Sequence, residues 1–131
     1  MNETVNAYFK EMQRNKFVNA GIIEDAAILL ESADMPSPAC GAFEYWELYL
    51  QIADNIVVDA KYQCLTPPFI NVIIDILCIM TKGNDLQKAL LIQEDTIMQY
   101  LGCEDDFLRK ITGSLLEMLR DSIQQYHAKA S

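Results

Sequence analysis

The chain has 131 residues, of which 51% are hydrophobic and 22% are charged. This length and composition predict one compact domain spanning residues 1–131, and they exclude a disordered or low-complexity chain. The formal net charge of -9 repels phosphate backbones and anionic lipid surfaces, so neither nucleic acid nor a membrane is an expected partner.

The first elements along the chain are predicted to be a helix and a short strand. Residues 3–17 carry apolar side chains at helical spacing, which is typical of an amphipathic helix. Residues 26–30 form a short apolar run that fits a strand. Residues 35–41 contain two prolines and a glycine, so they predict a loop, and Cys40 belongs to that loop.

A β-hairpin is predicted next. Side chains alternate in residues 43–52 and again in 56–64, with an Asp-Asn pair as the turn. Pro67 and Pro68 end the second strand because proline cannot donate to a β-ladder. The alternation assigns one set of side chains to the core: Trp46, Leu48, Leu50, Ile52, Ile56, Val58, Ala60, Tyr62 and Cys64. Tyr45 and Tyr49 face the other side, as a contact surface or as an ordinary sheet face.

The second half of the chain predicts helices. They cover residues 69–81, a short segment capped by Asp85, residues 94–101, and a long final stretch opened by Asp105 and Asp106. Strands precede helices, so the fold class is α+β. We expect a small antiparallel sheet of about three strands, covered on one face by helices, with an N-terminal helix and a long C-terminal helix.

Two residues of the final helix have specific interpretations. Gly113 costs a helix about 1 kcal/mol relative to alanine, which favours a close approach of another element at this position. His127 is the only histidine, and we interpret it as a solvated tail residue rather than a catalytic one.

The helix over residues 69–80 is unusually apolar. Its polar residues align in one narrow stripe, and apolar side chains cover an arc of roughly 220°. The stripe consists of Asn71, Asp75, Cys78 and Lys82. Either neighbouring helices cover the surplus apolar surface, or it is an interface for another protein or a second copy of this chain.

No common catalytic motif is present. The chain lacks the G-x-S-x-G, P-loop, H-E-x-x-H and EF-hand patterns, so we do not expect an enzyme. The four cysteines form no C-x-x-C pair, which argues against a zinc knuckle or a thioredoxin-type site. Cys64 and Cys78 are interpreted as small buried hydrophobes, whereas Cys103 is open to a ligand or disulfide role. No secretory signal or membrane-spanning run is recognisable, so we expect a cytoplasmic location.

Five stretches of the chain have a familiar order and spacing. They are residues 18–26, Pro38-Ala39-Cys40-Gly41, residues 48–62, residues 82–90 and Tyr100-Leu101-Gly102. Together they resemble the NifU/IscU family of iron-sulfur cluster scaffolds over nearly the whole length. The resemblance implies the same small sheet covered by helices. It also implies a site where three loop cysteines, an aspartate and often a histidine hold a nascent cluster.

Most of the implied ligand positions are occupied here by other residues. The first cysteine corresponds to Cys40, the aspartate to Ala42, the second cysteine to Pro67, and the histidine and third cysteine to Lys110 and Ile111. Only Cys40 retains a thiolate ligand. It is a relic, a reactive thiol or a partial metal ligand, and Cys103 is a further candidate metal ligand.

Loss of the ligand set together with excess apolar surface predicts a non-enzymatic protein-binding module. It would keep a scaffold fold with a degenerate cluster site, bind no cofactor, and regulate or inhibit a partner protein. The predicted partner surface comprises Cys40, Pro67, Pro68, Phe69, Ile70, Ile73, Ile74, Tyr45 and Tyr49. The alternative is an iron-sulfur assembly component that binds iron, persulfide sulfur or a cluster through Cys40. An enzyme with Cys40 as nucleophile lacks a general base and ranks last.

Overall fold

The computed structural model describes residues 3–34, 45–65 and 68–130. The elements are α1 (Glu3–Arg14), β1 (Ile28–Glu31), β2 (Tyr45–Ala53), β3 (Ile56–Leu65), α2 (Pro68–Thr81), α3 (Leu86–Leu90), α4 (Glu94–Leu101) and α5 (Asp106–Ala130), with a 3-10 turn at Ser32–Asp34. The predicted α+β class is confirmed, because the described part forms a three-stranded antiparallel sheet with helices at both ends of the chain. None of the helices in these ranges is long and apolar enough to cross a membrane.

Strand β2 is the centre of the sheet and pairs with β1 on one side and β3 on the other. Ala53 pairs with Ile56 around a two-residue turn. The turn residues Asp54 and Asn55 have φ values of 53° and 66°, as a type I′ hairpin turn requires. The Asp-Asn pair therefore forms the predicted hairpin.

A β-bulge changes which side chains at the start of β3 face the core. The register shifts between Gln51 and Ile52, so one extra residue of β3 enters the ladder there. Val57 is fully buried, whereas Ile56 and Val58 are 41% and 48% exposed. The predicted inward facing of Ile56 and Val58 is wrong because strict alternation carries no signal for an inserted residue.

The outer edge of β3 is covered at two places. Tyr62 exchanges two backbone hydrogen bonds, of 2.8 and 3.1 Å, with segment 19–21. Val57 exchanges two more, of 2.7 and 2.9 Å, with residues 83–84. These contacts occupy backbone groups that another chain would otherwise pair with.

Helix α2 runs through the middle of the domain and contacts β3 and the other four helices. Every residue from Ile70 to Cys78 is buried, including Asn71 and Asp75 of the polar stripe. Neighbouring helices therefore cover the apolar surplus over residues 70–78, which is the first of the two alternatives. Asn71, Asp75 and Cys78 of the polar stripe are buried, and Tyr8 of α1 donates a hydrogen bond to Asp75, whereas Lys82 is exposed.

Two helix ends differ from the sequence prediction. Helix α1 ends at Arg14 rather than near residue 17, because Lys16 and Phe17 adopt left-handed φ values of 57° and 50°. Helix α5 continues past His127, whose Nε2 lies 3.1 Å from Oδ1 of Asn55 in the hairpin turn. His127 therefore lies within a helix rather than in a tail, although its contact with Asn55 is exposed, and its lack of a catalytic role stays a prediction.

Candidate functional site

The described residues that flank the assigned positions Cys40, Ala42 and Pro67 lie at one end of the sheet. The register places the end of β1, the start of β2 and the end of β3 together, since Glu31 pairs with Glu47 and Tyr45 pairs with Leu65. Three of the assigned positions lie outside the described residues: Cys40, Ala42 and Pro67.

The third assigned ligand position is a core residue. Ile111 lies in α5 and is 0% exposed, while the preceding Lys110 is exposed. An aliphatic side chain offers no donor atom to iron, whose usual protein ligands in clusters are thiolates. Within residues 3–34, 45–65 and 68–130, no group of three His, Cys, Asp or Glu side chains is arranged to hold a metal. The described donor set does not fit a cluster held by three cysteines.

Three cysteines belong to the described ranges, and their environments differ. Cys78 is fully buried in α2, which confirms its interpretation as a small buried hydrophobe. Burial, with a smaller contribution from Asp75, raises the pKa of its thiol far above the ordinary value. Cys103 follows α4 and packs half-buried against the core, and its ligand or disulfide role stays a prediction.

Cys64 lines an apolar cavity of about 580 Å³ near the end of β3. We call this the Cys64 cavity, and its other walls include Phe9, Phe17, Tyr62 and Asn71. Cys64 pairs with the fully buried Trp46 across the ladder, so it faces the core side as predicted. It is only half-buried, however, because the cavity opens beside it.

The sheet face away from the helices carries two tyrosines that share one carboxylate. Tyr45 and Tyr49 both donate their hydroxyl groups to Oε1 of Glu47, Tyr49 at 3.0 Å. Desolvation, followed by the bond to Glu47, raises the pKa of Tyr49 to about 12. The bond to Glu47 is the main cause that raises the pKa of Tyr45. Both hydroxyls therefore stay protonated at neutral pH and remain donors.

These tyrosines belong to a partly exposed surface. Leu29 pairs directly with Tyr49 and is 43% exposed, and Tyr45 is 44% exposed, whereas Tyr49 is only 7% exposed. We call Leu29, Tyr45, Glu47 and Tyr49 the open face. Its exposed area comes mainly from Leu29 and Tyr45.

The predicted partner surface loses three of its members. Ile70, Ile73 and Ile74 are 0% exposed because α1, β3 and the other helices enclose α2. They are unavailable to a partner in this structure, so that part of the prediction is wrong. Pro68 and Phe69 begin α2, but their side chains lie outside the described part, as do Cys40 and Pro67.

The sequence analysis missed a buried carboxylate network between α1 and α2. Asp75 is 5% exposed and accepts hydrogen bonds from the hydroxyl of Tyr8 at 2.9 Å and from Nδ2 of Asn19 at 3.0 Å. The sequence signal was Asp75 itself, because an acidic residue in the middle of an apolar helix needs hydrogen-bond donors when it is buried. Its donors lie 67 and 56 residues away, a separation that helical periodicity does not reveal.

Comparison with known proteins supplies the family context for this geometry. The model of the family described as the NifU-like N terminal domain matches residues 8–131. No curated protein matches the chain.

Two solved structures share the fold. One is a nitrogen-fixing NifU-like protein (N-terminal) from Brucella abortus, with a TM-score of 0.65 and 14% identity, covering 98% of this chain and 94% of the other. The second is a proposed iron-sulfur cluster assembly scaffold protein for the SUF system from Fervidobacterium islandicum AW-1. It has a TM-score of 0.56 and 15% identity and covers 95% and 93% of the two chains. At these identities the likeness shows the fold alone.

Proposed function

The chain belongs to the NifU-like N-terminal domain family, and on that basis we propose that it is a non-enzymatic, protein-binding member with a degenerate cluster site. In this proposal it acts in the cytoplasm by binding and regulating or inhibiting a partner protein. The observation that carries the proposal is Ile111, a fully buried core residue at the position assigned to the third cluster cysteine.

The chemistry of the remaining assigned positions supports the same conclusion. Ala42 and Pro67 carry no side-chain atom that binds iron, and Lys110 would bring positive charge to the site. Cys40 is then the single thiolate among the three assigned cysteine positions. One thiolate is too few for the cysteine ligand sets that hold iron-sulfur clusters in proteins.

The open face supports binding to another protein. Tyrosine is enriched where proteins bind one another because its ring is apolar while its hydroxyl remains polar. Here the hydroxyl of the exposed Tyr45 is fixed by Glu47, which limits the entropy lost on binding. The contact surface that we propose is therefore the open face, in place of the buried side of α2.

The first test is anaerobic reconstitution with iron and sulfide. Iron content, acid-labile sulfide and the visible absorption spectrum would be measured for wild type, Cys40→Ser and Cys64→Ser. We expect no stoichiometric cluster in any of the three proteins, because the described donor set does not fit one. A stoichiometric cluster that disappears in Cys40→Ser would reject the degenerate-site proposal.

The second test concerns the open face. Proteins would be crosslinked in cells to wild type, Tyr45→Lys or Val58→Lys. The crosslinked products would then be captured and identified by mass spectrometry. Val58 is the matched control because it is 48% exposed, close to the 44% of Tyr45, and lies on β3 near the hairpin. We expect one partner, or a second copy of the chain, to be lost with Tyr45→Lys and retained with Val58→Lys. Identical capture by both variants would remove the open face from the proposal.

The second candidate function is an iron-sulfur assembly component that receives iron, persulfide sulfur or a cluster at Cys40. Family membership and the retained cysteine favour it. It predicts iron binding or sulfur transfer that is lost in Cys40→Ser, with unchanged folding. The reconstitution experiment therefore distinguishes the two functions directly.

A further inference from the structure

A cavity of about 210 Å³ lies where α1, the segment that follows it, α2 and α4 meet. We call it the Asp75 cavity, after the α2 carboxylate in its wall. Each water molecule in the liquid occupies about 30 Å³, so the space corresponds to about seven waters. Pockets for drug-sized ligands begin near ~300 Å³, so this one suits a group the size of a single side chain.

The wall of this cavity holds a buried carboxylate that has no cationic partner among the described residues. Asp75 is 5% exposed, and none of the ion pairs within the described ranges includes it. Its hydrogen-bond donors, Tyr8 and Asn19, are both neutral. A carboxylate has about four acceptor sites, so these two bonds leave capacity for another donor. Burying an unpaired charge is costly, and a cation beside Asp75 would offset that cost.

Burial and the neighbouring Asp75 raise the pKa of Tyr8 far above its ordinary value. Tyr8 therefore keeps its proton and stays a neutral hydrogen-bond donor to Asp75. It does not add a second negative charge beside this carboxylate. Glu11 is a second carboxylate in the lining, but it already forms an ion pair with Arg14. Asp75 is then the carboxylate in the lining that has no charged partner among the described residues.

The rim of the cavity is apolar and exposed. Val18, Tyr100 and Ile79 are 71%, 49% and 40% exposed, and all three line it. The rings of Tyr8 and Tyr100 meet edge to face with centroids 6.4 Å apart. Aromatic faces attract cations, and aliphatic side chains pack well against the methylene stem of a long cationic group.

We propose that the Asp75 cavity binds an alkylammonium group, with the ammonium beside the carboxylate of Asp75 and the alkyl stem between Val18, Ile79 and Tyr100. The group would belong to a small amine or to a lysine side chain of a peptide, which present the same chemistry. The inference does not depend on the proposed function, since among the described residues neither the open face nor the assigned positions Lys110 and Ile111 line this cavity.

The test is NMR titration of the full-length protein with n-butylammonium chloride, and with n-butanol as a neutral analogue of similar size. We expect butylammonium to shift the side-chain amide signal of Asn19 and the backbone signals of Asp75 and Ile79. Butanol is expected to cause much smaller shifts at the same concentration. Equal binding of the two probes would overturn the proposal, because the carboxylate would then contribute nothing.

Variants identify the residues responsible. Asp75→Asn is expected to weaken butylammonium binding at least about tenfold, since it removes the charge from a hydrogen-bonded pair. Asp121→Asn, in an exposed position of α5 outside the cavity, is the matched control for the loss of one negative charge and should bind as wild type does. If Asp75→Asn fails to fold, Tyr100→Ala at the exposed rim replaces it and should weaken binding severalfold. Unchanged affinity in a folded Asp75→Asn or Tyr100→Ala variant would overturn the proposal.

A third probe distinguishes the two sources of the ammonium group. Nα-acetyl-lysine N-methylamide carries the same alkylammonium group on a peptide backbone. Tighter binding than butylammonium supports the proposal with a peptide lysine as ligand, and weaker binding supports it with a small amine as ligand. Failure of both cationic probes to bind would overturn it.

Discussion

The hydroxyl groups of the half-buried Tyr8 and the buried Tyr62 differ in whether they have a hydrogen-bond partner. Tyr8 donates to Asp75 at 2.9 Å, so its hydroxyl satisfies a buried charge. Tyr62 is 2% exposed, and its hydroxyl has no hydrogen-bond partner among the described residues. An unpaired buried hydroxyl costs stability, whereas a paired one contributes to it.

Replacing each tyrosine with phenylalanine should therefore have opposite effects. Tyr8→Phe is expected to lower the free energy of unfolding by about 1–3 kcal/mol, because it leaves one oxygen of Asp75 without its donor. Tyr62→Phe is expected to be neutral or to raise it. Urea denaturation of both variants beside wild type measures the difference. A Tyr62→Phe variant that loses as much stability as Tyr8→Phe would show that the Tyr62 hydroxyl has a partner after all.

The same buried groups set the response to alkaline pH. Burial raises the folded-state pKa values of Tyr8, Tyr62 and Cys78 above the ordinary 10.0 for tyrosine and 9.0 for cysteine. Above about pH 9 the unfolded chain therefore binds fewer protons than the folded chain. The contribution of these three groups to the free energy of unfolding is fully present below that pH and is lost as the pH rises further. Unfolding free energies measured from pH 7 to 11 should fall most steeply above pH 9, and less steeply in Tyr62→Phe. A flat profile up to pH 11 would contradict this.

Among the elements, the helices were the most predictable, because their signals are local. Asp85 caps α3 by accepting a hydrogen bond from the backbone N–H of Lys88 at 2.8 Å, as its position predicted. Gly102 ends α4 with a left-handed φ of 83°. One apolar stripe of α5 is buried along the helix: Leu108, Ile111, Leu115, Met118, Leu119 and Ile123. The bulge in β3 escaped prediction because it depends on how two strands meet rather than on one of them.

The predicted close approach at Gly113 is made by a side chain of α4. A Cβ at this position would lie 3.1 Å from Oε1 of Glu94, closer than an ordinary contact. Gly113→Ala alone should therefore yield only part of the about 1 kcal/mol that alanine gains over glycine in a helix. In the Glu94→Ala background the same change should yield all of it. Denaturation of the four proteins in this double-mutant cycle measures the coupling between the two positions, and a zero coupling energy would show that they do not interact.

At the scale of the whole molecule, α2 is the central helix, and β3 and the other four helices pack against it. Ile73→Ala is expected to lower the free energy of unfolding by about 2–5 kcal/mol, because it leaves a cavity in a fully enclosed site. Ile79→Ala is the matched control, since it makes the same change in the same helix at a residue that is 40% exposed. It should cost much less in the same denaturation assay. Similar losses at both positions would contradict the central placement of α2.

The sequence by itself determined the fold class, the order of the elements, most of their boundaries and the resemblance to a family whose model matches residues 8–131. Periodicity, capping residues and turn residues act within a few positions along the chain, so one sequence is enough to read them. The resemblance also assigned Ala42, Pro67 and Ile111 to positions where the family has ligands, because that assignment needs only residue order and identity.

Only the tertiary structure decided which surfaces remain available. The apolar arc of α2 was compatible with a core or with an interface, and packing by distant elements made it a core. The same packing brought Tyr8 and Asn19 onto Asp75, which gave this residue of the polar stripe hydrogen-bond donors from the protein instead of from solvent. Burial is a property of segments far apart in the chain, and no local pattern in a single helix specifies what will cover it.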